Sequence, residues 1–265
     1  MRVAANLSLL WATEPFADRF AAAARAGFEA VELWWPGDED ARRLPDLTRA
    51  HGLTLAALNF DAGDMGAGDR GLFADPAARD RVRAHVPLAL GVAAESGCRR
   101  MNALVGLRDE RCSADEQLAS ARTQLVWTAE RAAAHGVTVL VEAVNSFENG
   151  PYLVPTTEQA AALVRACDTD AVRLLFDAYH RARQGGDVLA GLARAWDLVA
   201  HVQVADCPGR HEPGTGDVDH AGLFVELDAR GYDGFVGLEY HPSTADTDAS
   251  LGWFRRHGLL DGGRP

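Results

Sequence analysis

Three observations predict that this chain folds as a single (β/α)8 barrel. Eight short apolar runs alternate with segments of helical periodicity, a glycine repeatedly closes a helix one or two residues before the next run, and polar residues end several runs. In chain order the strands are expected within VAANLSL (3–9), ARAGFEAVELW (24–34), RAHGLTLAALNF (49–60) and AESGCRRMNALV (94–105), then AAHGVTVLVEAV (133–144), VRLLFDAYH (172–180), LVAHVQVAD (198–206) and DARGYDGFVGLEY (228–240). Glycine just past a helix supplies the left-handed backbone that turns the chain into the next strand, so the repeat is the αβ half of a βαβ unit. An open doubly wound sheet is the competing arrangement. It normally carries a Gly-rich phosphate turn after its first strand, and residues 6–11, Asn-Leu-Ser-Leu-Leu-Trp, are not one.

The 265 residues, 48% of them hydrophobic, suit one barrel, and no linker, charge block or low-complexity tract divides them, so one domain over 1–265 is expected. A formal charge of −12 would be repelled by nucleic acid or an anionic membrane, which excludes both as expected partners. The apolar stretch near the N-terminus is too short to span a bilayer and is interrupted by Asn6 and Ser8, so neither export nor anchoring is expected there. Cys98, Cys112, Cys167 and Cys207 show no close pairing, which points away from a disulfide framework or a cysteine zinc site and toward the reducing cytoplasm. The chain has no lysine: all 26 basic residues are arginines, which removes Schiff-base chemistry, pyridoxal phosphate attachment and a P-loop.

Buried parallel strands are covered on both faces and should be nearly all apolar, so polar residues at their C-terminal ends need a reason. Glu142, Asp177, Gln203 and Glu239 end or nearly end the fifth to eighth expected strands, and in a closed barrel they point into one volume. Three carboxylates and a carboxamide that close would repel one another unless a positive charge sat among them. An all-oxygen set favours Mg2+ or Mn2+ over zinc. The longest irregular stretches, 61–75, 145–156 and 206–217, each follow a strand and belong over the same mouth.

Several motifs are similar to those of the hydroxypyruvate isomerase family, within the xylose isomerase-like group of metal-dependent barrels. They are ANLSLLW (5–11), GFEAVELWWP (27–36), NFDAGDMGAGDRG (59–71), LVEAVN (140–145), FDAYHRAR (176–183), HVQVAD (201–206), RHEPGTGD (210–217) and GLEYHP (237–242). The resemblance spans nearly the whole chain. It implies that Glu142, Asp177, Gln203 and Glu239 are metal ligands, with the two glutamates also the acid-base pair. It further implies interconversion of hydroxypyruvate and tartronate semialdehyde, with a four-carbon 2-oxotetronate or a ketose 3-epimerase substrate as alternatives. Related barrels place histidine where Gln203 stands, which argues against the epimerase. The chain departs from the family at Asp61, where proline is common, and at Met65, where tryptophan is, so the third loop carries over less of the family's substrate choice. A homo-oligomer is compatible with this reading.

Four further residues are expected to meet the substrate. His180 is expected on a substrate oxygen, the competing role being a structural hydrogen bond at a helix start. Arg210 and Glu212 lie in a loop stiffened by Pro213, Gly214 and Gly216, where Arg210 could grip a carboxylate as a bidentate pair; Arg70 and Arg108 are the next arginines at the mouth. Asn59 and Glu32 end strands and either line the pocket or are ordinary rim polarity. His201, two residues before Gln203 and one layer deeper, either orients a ligand or is a core histidine. Trp11, Trp34 and Trp35 either wall the site or pack in the core.

Overall fold

A computed structural model describes residues 1–244 and 246–260, so position 245 and residues 261–265 of the expected single domain lie outside the described residues. Eight parallel strands close in chain order: β1 (Arg2–Asn6), β2 (Ala30–Leu33), β3 (Thr54–Asn59), β4 (Arg100–Asn102), β5 (Thr138–Glu142), β6 (Val172–Asp177), β7 (Val199–Val204) and β8 (Phe235–Leu238). Each lies inside the apolar run that predicts it, save that β1 begins one residue earlier. The expected (β/α)8 barrel is therefore the observed one.

The helix signals act as the sequence suggests. Gly52 and Gly97 close helices Leu44–His51 and Arg79–Ser96 with φ of 66° and 69°, a conformation in which a side chain would be strained. Ser113 and Thr156 each form a capping box with the residue three on, Glu116 and Gln159, and start helices Ala114–Ala133 and Thr157–Ala166. All four cysteines are free thiols. Among the described residues no helix is long and apolar enough to cross a membrane.

Register places the site. Asp177 pairs with Gln203 and Gln203 with Gly237, so β6, β7 and β8 offer these three positions at one level. A shift between Leu174 and Leu175 inserts Ala200 opposite them, which brings His201 beside Leu175 and Gln203 beside Asp177. Two residues toward the N-terminal side on the same face, Ala4, Ala30, Ala56 and Phe235 form a small apolar cluster that plugs the barrel beneath the polar layer. On the other side the expected loops cover the mouth. The β3 and β4 loops meet through an isolated bridge, Gly71 to Val105, and the β4 and β5 loops through Leu107 to Tyr152. At Gly71, φ is 126° and a Cβ would lie 2.3 Å from the Leu104 carbonyl oxygen, so only glycine fits this close approach.

Candidate active site at the barrel mouth

A cavity of about 200 Å³ opens at the C-terminal end of the barrel, lined by Trp34, Asn59, Met65, Arg70, Leu104, Glu142, Val144, Asn149, His180, Arg210 and Glu239. Glu142 ends β5 and is buried. Its Oε2 accepts from the Asn102 amide at 2.7 Å, and its Oε1 lies 3.5 Å from His180 Nε2. Asp177 ends β6, where its Oδ1 caps helix Ala178–Arg183 by accepting from the His180 N–H at 3.1 Å. One Glu142 oxygen, one Asp177 oxygen and one His180 ring nitrogen lie within 4.8 Å of one another.

Partners fix the tautomer of His180. Asn145 Oδ1 accepts from the N–H groups of Phe147 and Glu148, at 3.1 and 3.2 Å, so its amide nitrogen is the end 2.8 Å from His180 Nδ1. Nδ1 is thus an acceptor and the ring proton sits on Nε2. Burial, with Asp177 opposing it and Arg210 adding to it, lowers the ring's pKa to about 4, so near neutrality the ring is uncharged. A neutral ring with a proton on Nε2 donates from that atom. His180 therefore suits the substrate-oxygen role expected from the sequence better than a metal-ligand role.

Gln203 and Glu239 complete the set from β7 and the end of β8. Gln203 Nε2 donates to Glu32 Oε1 at 2.7 Å, which leaves its Oε1 buried without a partner among the described residues. Glu239 Oε1 accepts from Arg210 Nη2 at 2.6 Å and Trp34 Nε1 at 3.1 Å. Glu239 is outside the tight group of Glu142, Asp177 and His180, and Arg210 and Trp34 hold it. Burial first, then Glu239 and Asp177, push the Glu142 carboxyl well above its usual range. Burial also pushes Glu239 up to about 8, against the pull of Arg210.

These residues fit a divalent cation. Two buried oxygens, Asp177 Oδ2 and Gln203 Oε1, have no partner among the described residues, and a buried polar atom left so is costly. Among the described residues the cation in contact with any of the carboxylates of Glu142, Asp177 and Glu239 is Arg210, whose Nη2 is already on Glu239. A hard 2+ ion would satisfy the oxygens and offset the charge.

Arg210 sits where the sequence places it, with its side chain 16% exposed. Its φ of 56° is a left-handed conformation that costs roughly 1 kcal/mol for a non-glycine residue, and neighbouring contacts hold it there. Its N–H donates to the Asp206 carbonyl at 3.0 Å, and its own carbonyl accepts from the His241 N–H at 2.8 Å. Asp206 organises the whole loop: its carboxylate accepts from the N–H groups of Cys207, Gly214, Thr215 and Val218 at 2.7–3.1 Å. Although burial alone would raise it, His220 and backbone N–H groups hold the Asp206 carboxyl well below its usual range. Asp206 is the stiffening residue that glycine and proline counting missed.

The remaining expectations divide. Asn59 lines the cavity, as does Arg70, whose Nη1 is tied only to the carbonyls of Met65 and Asp69. Glu212 does not line it; its carboxylate accepts from the Ser243 N–H at 2.9 Å and hydroxyl at 2.5 Å, joining two loops. Arg108 lines a separate neighbouring cavity. Trp34 walls the site, whereas Trp11 packs edge-on to Phe28 and Trp35 edge-on to His85. Asp61, the departure in the third loop, is held by Arg81 at 2.8 Å and caps the turn at Gly63. Asn102 and Asn145, which orient Glu142 and His180, are not among the expected residues, although Asn102 ends its strand as Glu142 and Asp177 do.

The sequence model of the xylose isomerase-like TIM barrel family matches residues 20–257. The chain belongs to this family. Within it, the chain is 37% identical to the 2-oxo-tetronate isomerase of Cupriavidus necator, over 96% of this chain and 97% of that protein. It is 32% identical to the hydroxypyruvate isomerase of Escherichia coli, over 96% and 98%. Among solved structures of the same barrel, a Brucella melitensis protein described as an AP endonuclease, family 2, superposes with a TM-score of 0.92 at 34% identity, over 97% of this chain and 98% of that one. A Clostridium cellulolyticum D-psicose 3-epimerase superposes at 0.79 with 19% identity, a likeness of fold alone.

Proposed function

We propose that the chain is a divalent-metal-dependent isomerase of small hydroxy-oxo acids, interconverting hydroxypyruvate and tartronate semialdehyde (2-hydroxy-3-oxopropanoate) through an enediolate. One observation carries the reading: two glutamates with raised pKa line a small cavity, and the paired strand positions Asp177 and Gln203 each bury an oxygen without a partner among the described residues. Relatives named as isomerases over nearly the full chain support it.

In this reading Glu142, Asp177, Gln203 and Glu239 hold Mg2+ or Mn2+. When bound, the ion would stabilise negative charge developing on the substrate's oxygens. The chain's own residues handle the protons. Glu142 Oε2 is tied to Asn102, and Glu239 Oε1 to Arg210 and Trp34, so Glu142 Oε1 and Glu239 Oε2 are the oxygens left to act. One takes the proton from the carbon beside the carbonyl, and it or the other returns a proton to the neighbouring carbon. The Nε2–H of His180 donates to a substrate oxygen. Arg70 meets the carboxylate, because Arg210 Nη2 is already on Glu239.

The C. necator relative favours a second substrate of the same class, a 2-oxotetronate with one more carbon. We place the enzyme in the cytoplasm, acting on a small molecule with no nucleic-acid or membrane partner. Hydroxypyruvate, 2-oxotetronates and free ketoses assayed side by side, before and after exhaustive chelation, test the proposal. Turnover of the acids that vanishes on chelation and returns with Mg2+ or Mn2+ is expected. Full activity in metal-free protein, or turnover of free ketoses alone, would refute it.

A further inference from the structure

Glu32 is fully buried one residue before the end of β2, yet its side chain leaves its own strand and reaches across the barrel interior. Three donors from two other strands converge on it. Asn6 Nδ2 on β1 donates to Oε1 at 3.0 Å, Gln203 Nε2 on β7 to the same oxygen at 2.7 Å, and His201 Nε2 on β7 lies 2.7 Å from Oε2. β8 gives it room: a Cβ on Gly237 would lie 2.3 and 2.4 Å from the two Glu32 oxygens, so any side chain there would collide with the carboxylate. A fourth carboxylate so near the three of the proposed metal site adds to a local excess of negative charge and needs a reason.

We infer that Glu32 is a positioning residue that turns the Gln203 carboxamide so that its oxygen, not its nitrogen, faces the metal site. The inference rests on the metal reading above. Carboxylate oxygens accept hydrogen bonds, and of the two ends of a carboxamide only the nitrogen donates, so contact with Glu32 fixes which end is which. The same logic is met twice, since Asn6 Oδ1 accepts from the Ser8 N–H at 3.1 Å and therefore also presents its nitrogen to Glu32. Without Glu32, the carboxylates of Glu142, Asp177 and Glu239 would draw the Gln203 amide nitrogen toward themselves. A donor would then stand where a cation needs an oxygen. The buried, partnerless Gln203 Oε1 is the product of this arrangement.

The test is Mn2+ affinity, read from the electron paramagnetic resonance signal of free Mn2+, in the wild type, Glu32→Leu, Gln203→Glu and the double variant Glu32→Leu/Gln203→Glu. Glu32→Leu keeps most of the bulk and removes both acceptor oxygens, so nothing orients Gln203 and Mn2+ should bind ten- to a hundredfold more weakly, the range for residues that orient ligands. A glutamate at 203 has oxygen at both ends and no orientation to lose. Measured against Gln203→Glu alone, the double variant should therefore lose little affinity, which a purely structural role for Glu32 would not allow. Unchanged affinity in Glu32→Leu, or as large a loss in a folded double variant relative to Gln203→Glu, would overturn the inference. Should Glu32→Leu fail to fold, the double variant set against Gln203→Glu decides by the same criterion. A wild type that does not bind Mn2+ overturns the metal reading first, and the inference with it.

Discussion

The two glutamates at the mouth are equally buried and differently held. Glu142, at the end of β5, has one neutral partner, the amide of Asn102, and the neutral ring of His180 beyond it. Glu239, just past β8, has a cation on it at 2.6 Å and an indole N–H besides. Burial raises both, Asp177 adds to both and Arg210 opposes both, but Arg210 is in contact with Glu239 and acts on Glu142 from farther away. Two carboxyls of one residue type in one cavity are thereby made unequal, which is what a reaction needing both a proton donor and an acceptor requires. The β5–β6 side is built from neutral hydrogen bonds, and the β7–β8 side from charge.

The largest way to test that contrast is to remove the proton-carrying oxygen on each side. Glu142→Gln and Glu239→Gln should keep the fold and lose roughly 10²–10⁴-fold in kcat, the usual contribution of a positioned acid or base. Wild-type kcat in either variant would take that residue out of the mechanism. A smaller effect separates the two arginines. Arg70→Gln should raise KM for hydroxypyruvate about ten- to a hundredfold with kcat little changed, the scale of ~1.5–3 kcal/mol for a charge-assisted hydrogen bond. Arg210→Gln should act mainly on kcat through Glu239, and the reverse pattern would assign the carboxylate to Arg210.

The smallest effect is on stability. A carboxyl whose folded pKa lies above its unfolded value holds its proton more tightly when folded, so folding becomes less favourable as pH rises from the unfolded value toward the folded one. For Glu239 that window runs from about 4.5 to about 8. In metal-free protein Tm should fall across it, by less in Glu239→Gln than in wild type. An equal slope in both would show that Glu239 does not titrate there.

The strands, the barrel and the principal site residues were legible because each rests on a local rule. Apolar runs bury, glycine closes helices, and a carboxylate at the end of a doubly covered strand stands out from its neighbours. Glu142, Asp177 and Glu239 could be found this way, and Asn102 follows the same rule but was passed over in a strand of only three residues. What could not be read is which atoms face each other. Glu212 and Arg210 share a loop motif, but one turns to Ser243 and the other to Glu239. Glu32 and Gln203 are 171 residues apart, and their contact exists because closing the barrel brings β2 and β7 within reach across an interior that Gly237 keeps open. Sequence determined which residues are buried and polar, because burial follows from periodicity along the chain. Tertiary structure alone decided which of their oxygens are bonded and which are left to act, because hydrogen bonds are settled by distances that only the closed barrel sets.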